Sequence, residues 1–242
     1  MPKPRLPNKE VVLEQFRELY RGLMEQAGIK PKKGVRFDPL LPSERSQLNA
    51  FAKTMRNFDR RRLHPMGRSF DETNLSFKGK IRKTVDLLLR SAKTKINVLD
   101  LGCGDGELLL AIKGRDPKRI HVTGVSMSLP RYAKRMDKIR IGIYPRMKLD
   151  QKYDLIIDSG GPSVYRPFQV FRLDKTFQAM IEDLNVGGVA LTVAASTLGD
   201  AKEWIRNGMP VLKQAKEKGT ISFSTFTNRG EKYFVIKKLT ES

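Results

Sequence analysis

The chain has 242 residues, and its 47 Lys and Arg outnumber its 26 Asp and Glu to give a formal net charge of +21. A hydrophobic share of 39% is enough for a core, so the chain is not disordered as a whole. Its leucine runs Leu87–Leu89 and Leu108–Leu110 are far short of the roughly 20 apolar residues a membrane helix needs. Met1–Pro7 carries no apolar segment of the secretory kind, and a single cysteine excludes an internal disulfide framework; a cytoplasmic protein is expected. With one Cys and two His no structural metal is expected either.

Val11, Val12, Phe16, Leu19, Tyr20 and Leu23 fall at spacings of three and four after Asn8, which predicts a helix closed by Gly28. Residues 29–42 read as a basic linker. Ser43 caps a second predicted helix bearing Leu48, Phe51, Met55 and Phe58. Residues 59–73 read as a loop. Asn74 is then expected to cap a third helix running to about Arg90, with Leu75, Ile81, Val85, Leu88 and Leu89 facing inward. Residues 1–73 are thus expected to form a basic helical extension.

From residue 94 short strands and helices alternate. Strands are predicted at 96–101, 120–125, 139–144, 153–158 and 188–194, and helices at 107–113, 130–136, 174–184 and 200–218. The segments 221–227 and 232–237 form a terminal strand pair turning at Gly230. This rhythm implies an α/β fold: a mainly parallel sheet with helices on both faces and a terminal antiparallel hairpin, over residues 74–242.

The charge is uneven, with +18 of the +21 lying before residue 151. Arg60, Arg61 and Arg62 form one cluster, and Arg131, Lys134, Arg135 and Lys138 lie in another. Such a distribution points to a polyanionic partner, RNA above all, with these seven side chains as candidate contacts to the phosphate backbone.

The informative segment is Val98–Glu107, where an apolar strand ends in Asp100 and glycines follow at 102, 104 and 106 before a helix begins. Glycines at this spacing let the chain turn tightly and a ligand approach the backbone. The dinucleotide fingerprint would need glycine at 107, where Glu107 stands. Asp100-x-Gly102-x-Gly104-x-Gly106 instead resembles the first motif of class I S-adenosylmethionine (SAM) dependent methyltransferases. Tyr153–Asp158 resembles that family's fourth strand, and Asn185–Leu191 its turn into the fifth.

The resemblance implies a seven-stranded sheet, SAM as cofactor, and SAM contacts from Asp100, Gly102, Gly104, Gly106, Ser126, Met127 and Asp158. Ser126 stands where the family has an acid for the ribose, and no acid follows the third strand at Tyr144–Lys148. Asp158–Ser163 further resembles the loop of FtsJ-like RNA ribose 2′-O-methyltransferases. That likeness implies a catalytic set of Asp158, Glu231 and Lys80 (less readily Lys83), with the family's fifth-strand lysine missing near Val193. Three functions follow as expectations: an RNA methyltransferase, a small-molecule methyltransferase, and a methyltransferase-like RNA-binding factor without turnover. Cys103, inside the glycine loop, reads as a small filler.

Overall fold

A computed structural model describes residues 69–126, 130, 132–141, 144–145, 149–159, 173–194 and 201–241. The predicted helices of residues 1–58 lie outside them, as do Arg60, Arg61, Arg62, Met127 and Arg131.

Helices α1 (Phe70–Ser76) and α2 (Lys80–Arg90) lead into strand β1 (Ile96–Leu101). Then come α3 (Glu107–Lys113), β2 (Ile120–Ser126), a short 3-10 turn at Ala133–Arg135, β3 (Lys138–Ile141) and β4 (Tyr153–Asp158). The chain continues through α4 (Leu173–Asp183), β5 (Leu184–Ala194), α5 (Ala201–Glu217), β6 (Ile221–Asn228) and β7 (Glu231–Lys238). The seven strands form one sheet in the order β3-β2-β1-β4-β5-β7-β6. All neighbours run parallel except β5–β7 and β6–β7. This is the seven-stranded α/β sheet with a closing hairpin that the sequence implies.

Both faces are covered, which is why the central strands read as unbroken apolar runs. On one face Leu99, Leu101, Ile156 and Ala190 meet Phe177, Met180 and Ile181 of α4 and Leu212 of α5. On the other, Val98, Leu155, Ile157, Leu191 and Val193 meet Ile81 and Val85 of α2 and Leu108, Leu109 and Ile112 of α3.

Several local expectations are corrected. The single helix from Asn74 to Arg90 is two helices. Ser69, whose side chain accepts from the Glu72 amide, caps the first, and Lys78 (φ +49) and Gly79 (φ +77) break the chain between them. Asn74 lies inside α1 and caps α2 from across that break, its Oδ1 accepting from the Arg82 amide at 2.9 Å. Leu75, expected inward, is 61% exposed because the break turns α1 away from the register of α2. Of the helix expected at 130–136 the described residues form only the 3-10 turn Ala133–Arg135, and β3 begins at Lys138 and ends at Ile141. Finally, Asn185–Gly188 is not a turn before β5 but an irregularity within it: the register jumps from Tyr153↔Leu184 to Leu155↔Val189. A Cβ on Gly188 would stand 2.8 Å from the Asn185 carbonyl and 2.9 Å from that of Tyr153.

Candidate functional site

The sheet order places a crevice. The chain winds outward from β1 through β2 to β3, then returns to add β4 on the other side of β1. Ligands of open parallel sheets bind where the winding reverses, at the carboxyl ends of the strands. β1 delivers the glycine loop to that place.

The loop is built from left-handed glycines, with φ +85 at Gly102, +53 at Gly104 and +90 at Gly106. A Cβ would strain each one. The amides of Gly102 and Cys103 both donate to the Val125 carbonyl, at 2.8 and 3.0 Å, which ties the loop to β2. The amides of Gly104 and Asp105 have no acceptor among the described residues, although Gly104 is buried. Buried backbone donors are ordinarily paired, so the loop tip is a ready cradle for a polar ligand. Gly106 serves packing instead: a Cβ there would lie 2.2 Å from Met136 Cε.

Asp100 is buried at the end of β1 and Ser126 at the end of β2. Cys103 lies over Gly124, where a Cβ would come within 2.6 Å of its Sγ. Burial, and then the charge of Asp100, push the Cys103 thiol far above its usual range. Buried there, it fills the space over Gly124. Tyr132 donates its amide to the Asp105 carbonyl at 3.2 Å, so the basic tract runs alongside the loop. Within that tract Lys134 and Arg135 are exposed, Arg135 sits over the Tyr132 ring at 5.8 Å, and Lys138 pairs with Asp150 at 3.2 Å.

Asp158 ends β4, is fully buried, and accepts from Thr192 Oγ1 of β5 at 3.0 Å. It shares a face with Ile156, the α4–α5 side of the sheet, and its charge helps to push the buried Tyr144 hydroxyl upward after burial and Asp183. Lys80 and Glu231 lie around one aromatic pair elsewhere, at the carboxyl end of β5 and on the α2 side. Lys80 Nζ lies 5.2 Å from the centroid of Phe226. Phe226 stacks on Tyr233 at 5.0 Å and 11°, and the Tyr233 hydroxyl donates to Glu231 Oε2 at 3.0 Å. Val193, where a lysine would complete the FtsJ-like set, is buried among apolar side chains. Among the described residues no group of acids, histidines and cysteines is arranged to hold a metal ion, and no helix is long and apolar enough to cross a membrane.

Sequence reasoning missed the Phe226–Tyr233 pair. Its only signal was two aromatics in each strand of the terminal hairpin.

No family model matches the chain, and no curated protein matches it. Solved structures do. The chain is similar to a precorrin-6y C5,15-methyltransferase of Geobacter metallireducens (13% identity, 67% of this chain and 89% of that one, TM-score 0.44). It is similar to a candidate rRNA methylase of Clostridium thermocellum (16% identity, 67% and 97%, TM-score 0.47). It is also similar to the plantazolicin methyltransferase BpumL, solved with a desmethyl plantazolicin analogue and S-adenosylhomocysteine (SAH) (16% identity, 81% and 96%, TM-score 0.49).

Proposed function

We propose that the chain is a SAM-dependent methyltransferase acting on RNA. The observation that carries the cofactor reading is the left-handed glycine loop at the reversal point of the sheet, with the Gly104 and Asp105 amides turned to no acceptor among the described residues. These residues fit the polar end of SAM. Asp100 and Ser126 close the strand ends on either side, and the Ser126 hydroxyl suits a ribose hydroxyl. Met127 is assigned to the adenine by the sequence resemblance. When bound, SAM supplies a methyl group made electrophilic by its sulfonium, so the protein's part is chiefly to hold a nucleophile in line with it.

Asp158 is the side chain we set at the reacting end of the crevice. Its carboxylate is oriented by Thr192, which suits it to accept a proton from the attacking group or to hold that group in place. Lys80 and Glu231 surround the Phe226–Tyr233 pair on the opposite face of the sheet from Asp158, so in this reading they share no proton transfer with it. RNA as substrate rests on the net charge of +21 and on the basic tract Tyr132–Arg135 beside the loop.

Titration of the protein with SAH in a calorimeter, followed by transfer of labelled methyl from SAM to total RNA, tests the proposal. Saturable SAH binding and label in the RNA are expected. Absence of SAH binding overturns the cofactor reading, and label confined to small molecules overturns the RNA reading.

A further inference from the structure

The corner between α1 and α2 holds two cations that no carboxylate among the described residues answers. Lys78 Nζ lies 5.6 Å, and Lys80 Nζ 5.2 Å, from the centroid of the same Phe226 ring. That ring is fixed from behind: it stacks on buried Tyr233, which in turn meets buried Phe77 edge-on at 5.0 Å. Among the described residues neither lysine makes an ion pair, so both charges are available to a ligand. The carboxylate tied into the cluster, Glu231, accepts from the Tyr233 hydroxyl.

The corner is also rigid. Lys78 sits at φ +49, a conformation that non-glycine residues seldom adopt. It is held there by its amide bond to the Leu75 carbonyl at 2.9 Å and by that of Gly79 to Asn74 at 2.8 Å. The hairpin tip clamps the same turn, Asn228 Nδ2 donating to the Ser76 carbonyl at 2.8 Å and to that of Leu75 at 3.3 Å. A strained backbone that brings a second ammonium to one aromatic face adds repulsion that the ring quadrupole only partly offsets. A shared anion removes it. Its place in the fold is the rim of the crevice: β7 is antiparallel to β5, so Glu231 lies beyond Ala194 at the carboxyl end of β5, the sheet edge to which β1 delivers the glycine loop.

We infer that Lys78 and Lys80, seated on Phe226, form a phosphate subsite that holds a backbone phosphodiester of the RNA at the rim of the crevice. The inference rests on the RNA reading above and gives Lys80 an anchoring role in place of a proton-transfer one.

The test is binding of the full chain to a labelled single-stranded oligoribonucleotide, followed by fluorescence anisotropy across a salt series. The variant is Lys78→Met with Lys80→Met, which keeps an apolar stem on the ring and removes both charges. Its affinity should fall at least about tenfold at low salt. The slope of log affinity against log salt should shrink by roughly 0.7 for each phosphate that is no longer neutralised. The Lys78→Arg with Lys80→Arg protein should bind as the parent does. Unchanged affinity and slope in the methionine variant, with a melting temperature like that of the parent, overturns the subsite, as does failure of the parent to bind the RNA. Displacement of the RNA by inorganic phosphate as effectively as by unlabelled RNA, per phosphate, overturns the phosphodiester assignment. SAH titration of the parent is read separately: its failure counts against the cofactor reading and leaves the RNA result standing.

Discussion

Thr192 Oγ1 donates to Asp158 Oδ2 at 3.0 Å across a register pair of β4 and β5. Both residues are fully buried, so the carboxylate is held in one orientation at the carboxyl edge of the sheet. Asp158→Asn keeps an oxygen for Thr192 and the shape of the side chain while removing the charge. Methyl transfer from labelled SAM should fall by about 10²-fold or more, the usual worth of a positioned acid or base. The circular dichroism spectrum should be unchanged. Turnover at the parent rate would take Asp158 out of the reacting site.

The glycine loop gives a test of the cofactor site that does not depend on the substrate. Gly104 has φ +53, where a Cβ costs about 1–2 kcal/mol, and a branched side chain would stand among the amides of the cradle. Gly104→Val should abolish calorimetric SAH binding while the chain still unfolds cooperatively. Gly106→Val should act differently, because its side chain would displace Met136; that variant should lose stability as well as SAH binding. Undiminished SAH binding by Gly104→Val would reject the loop as the cofactor cradle.

The loop was legible in the sequence because left-handed positions at a strand–helix junction leave few residues to choose from, and glycines at 102, 104 and 106 meet the demand. The sheet was legible for a similar reason: strands covered on both faces are apolar at every position, as in Leu155–Ile157. What escaped was set at long range. Asn74 looks like the start of a helix, and it is a cap, but of the helix beyond the Lys78–Gly79 break, where its acceptor reaches the Arg82 amide. The clamp of Asn228 on Ser76 joins residues 152 apart in the chain, and the same hairpin brings Phe226 to Lys78 and Lys80. No local spacing encodes such a corner. The irregularity in β5 was half visible: the glycine pair was seen, but whether it turned the chain or bulged a strand is decided by the Tyr153 carbonyl against which Gly188 lies.

At the opposite edge of the sheet a buried carboxylate ties three segments together. Asp154 pairs with Lys93, accepts from the Asn97 amide at 2.8 Å and accepts from Asn185 Nδ2 at 2.9 Å. It thereby fastens the entry to β1 and the irregular start of β5 onto β4. Its side chain is 2% exposed, while that of Lys93 is 39% exposed. Asp154→Ala leaves the lysine able to return to water but strands the other two donors. The loss should be about 2–4 kcal/mol. Chemical denaturation should show an earlier midpoint with an unchanged slope. A midpoint within error of the parent would mean that the three segments hold together without this carboxylate.

Asp183 gives the fold a pH dependence of defined sign. Burial raises its carboxyl to about 6 from an ordinary 3.8, and the Tyr144 hydroxyl, which donates to it at 2.9 Å, pulls the other way. The native state therefore binds a proton that the unfolded chain has already released over the window from about pH 4 to about pH 6. Stability contributed by this group falls as pH rises through that window, and the full cost is present above it. Since the side chain is partly open to solvent, the cost is about 1–2 kcal/mol, less than the shift alone would give. Asp137 and Asp150, held below their usual range, have the opposite slope and act at lower pH. The difference between Asp183→Asn and the parent isolates the one group. Denaturation midpoints should coincide near pH 4 and diverge as pH rises, the variant being the more stable above pH 6 by about 1 kcal/mol. A constant difference across the range would mean that Asp183 titrates alike in the folded and unfolded chains.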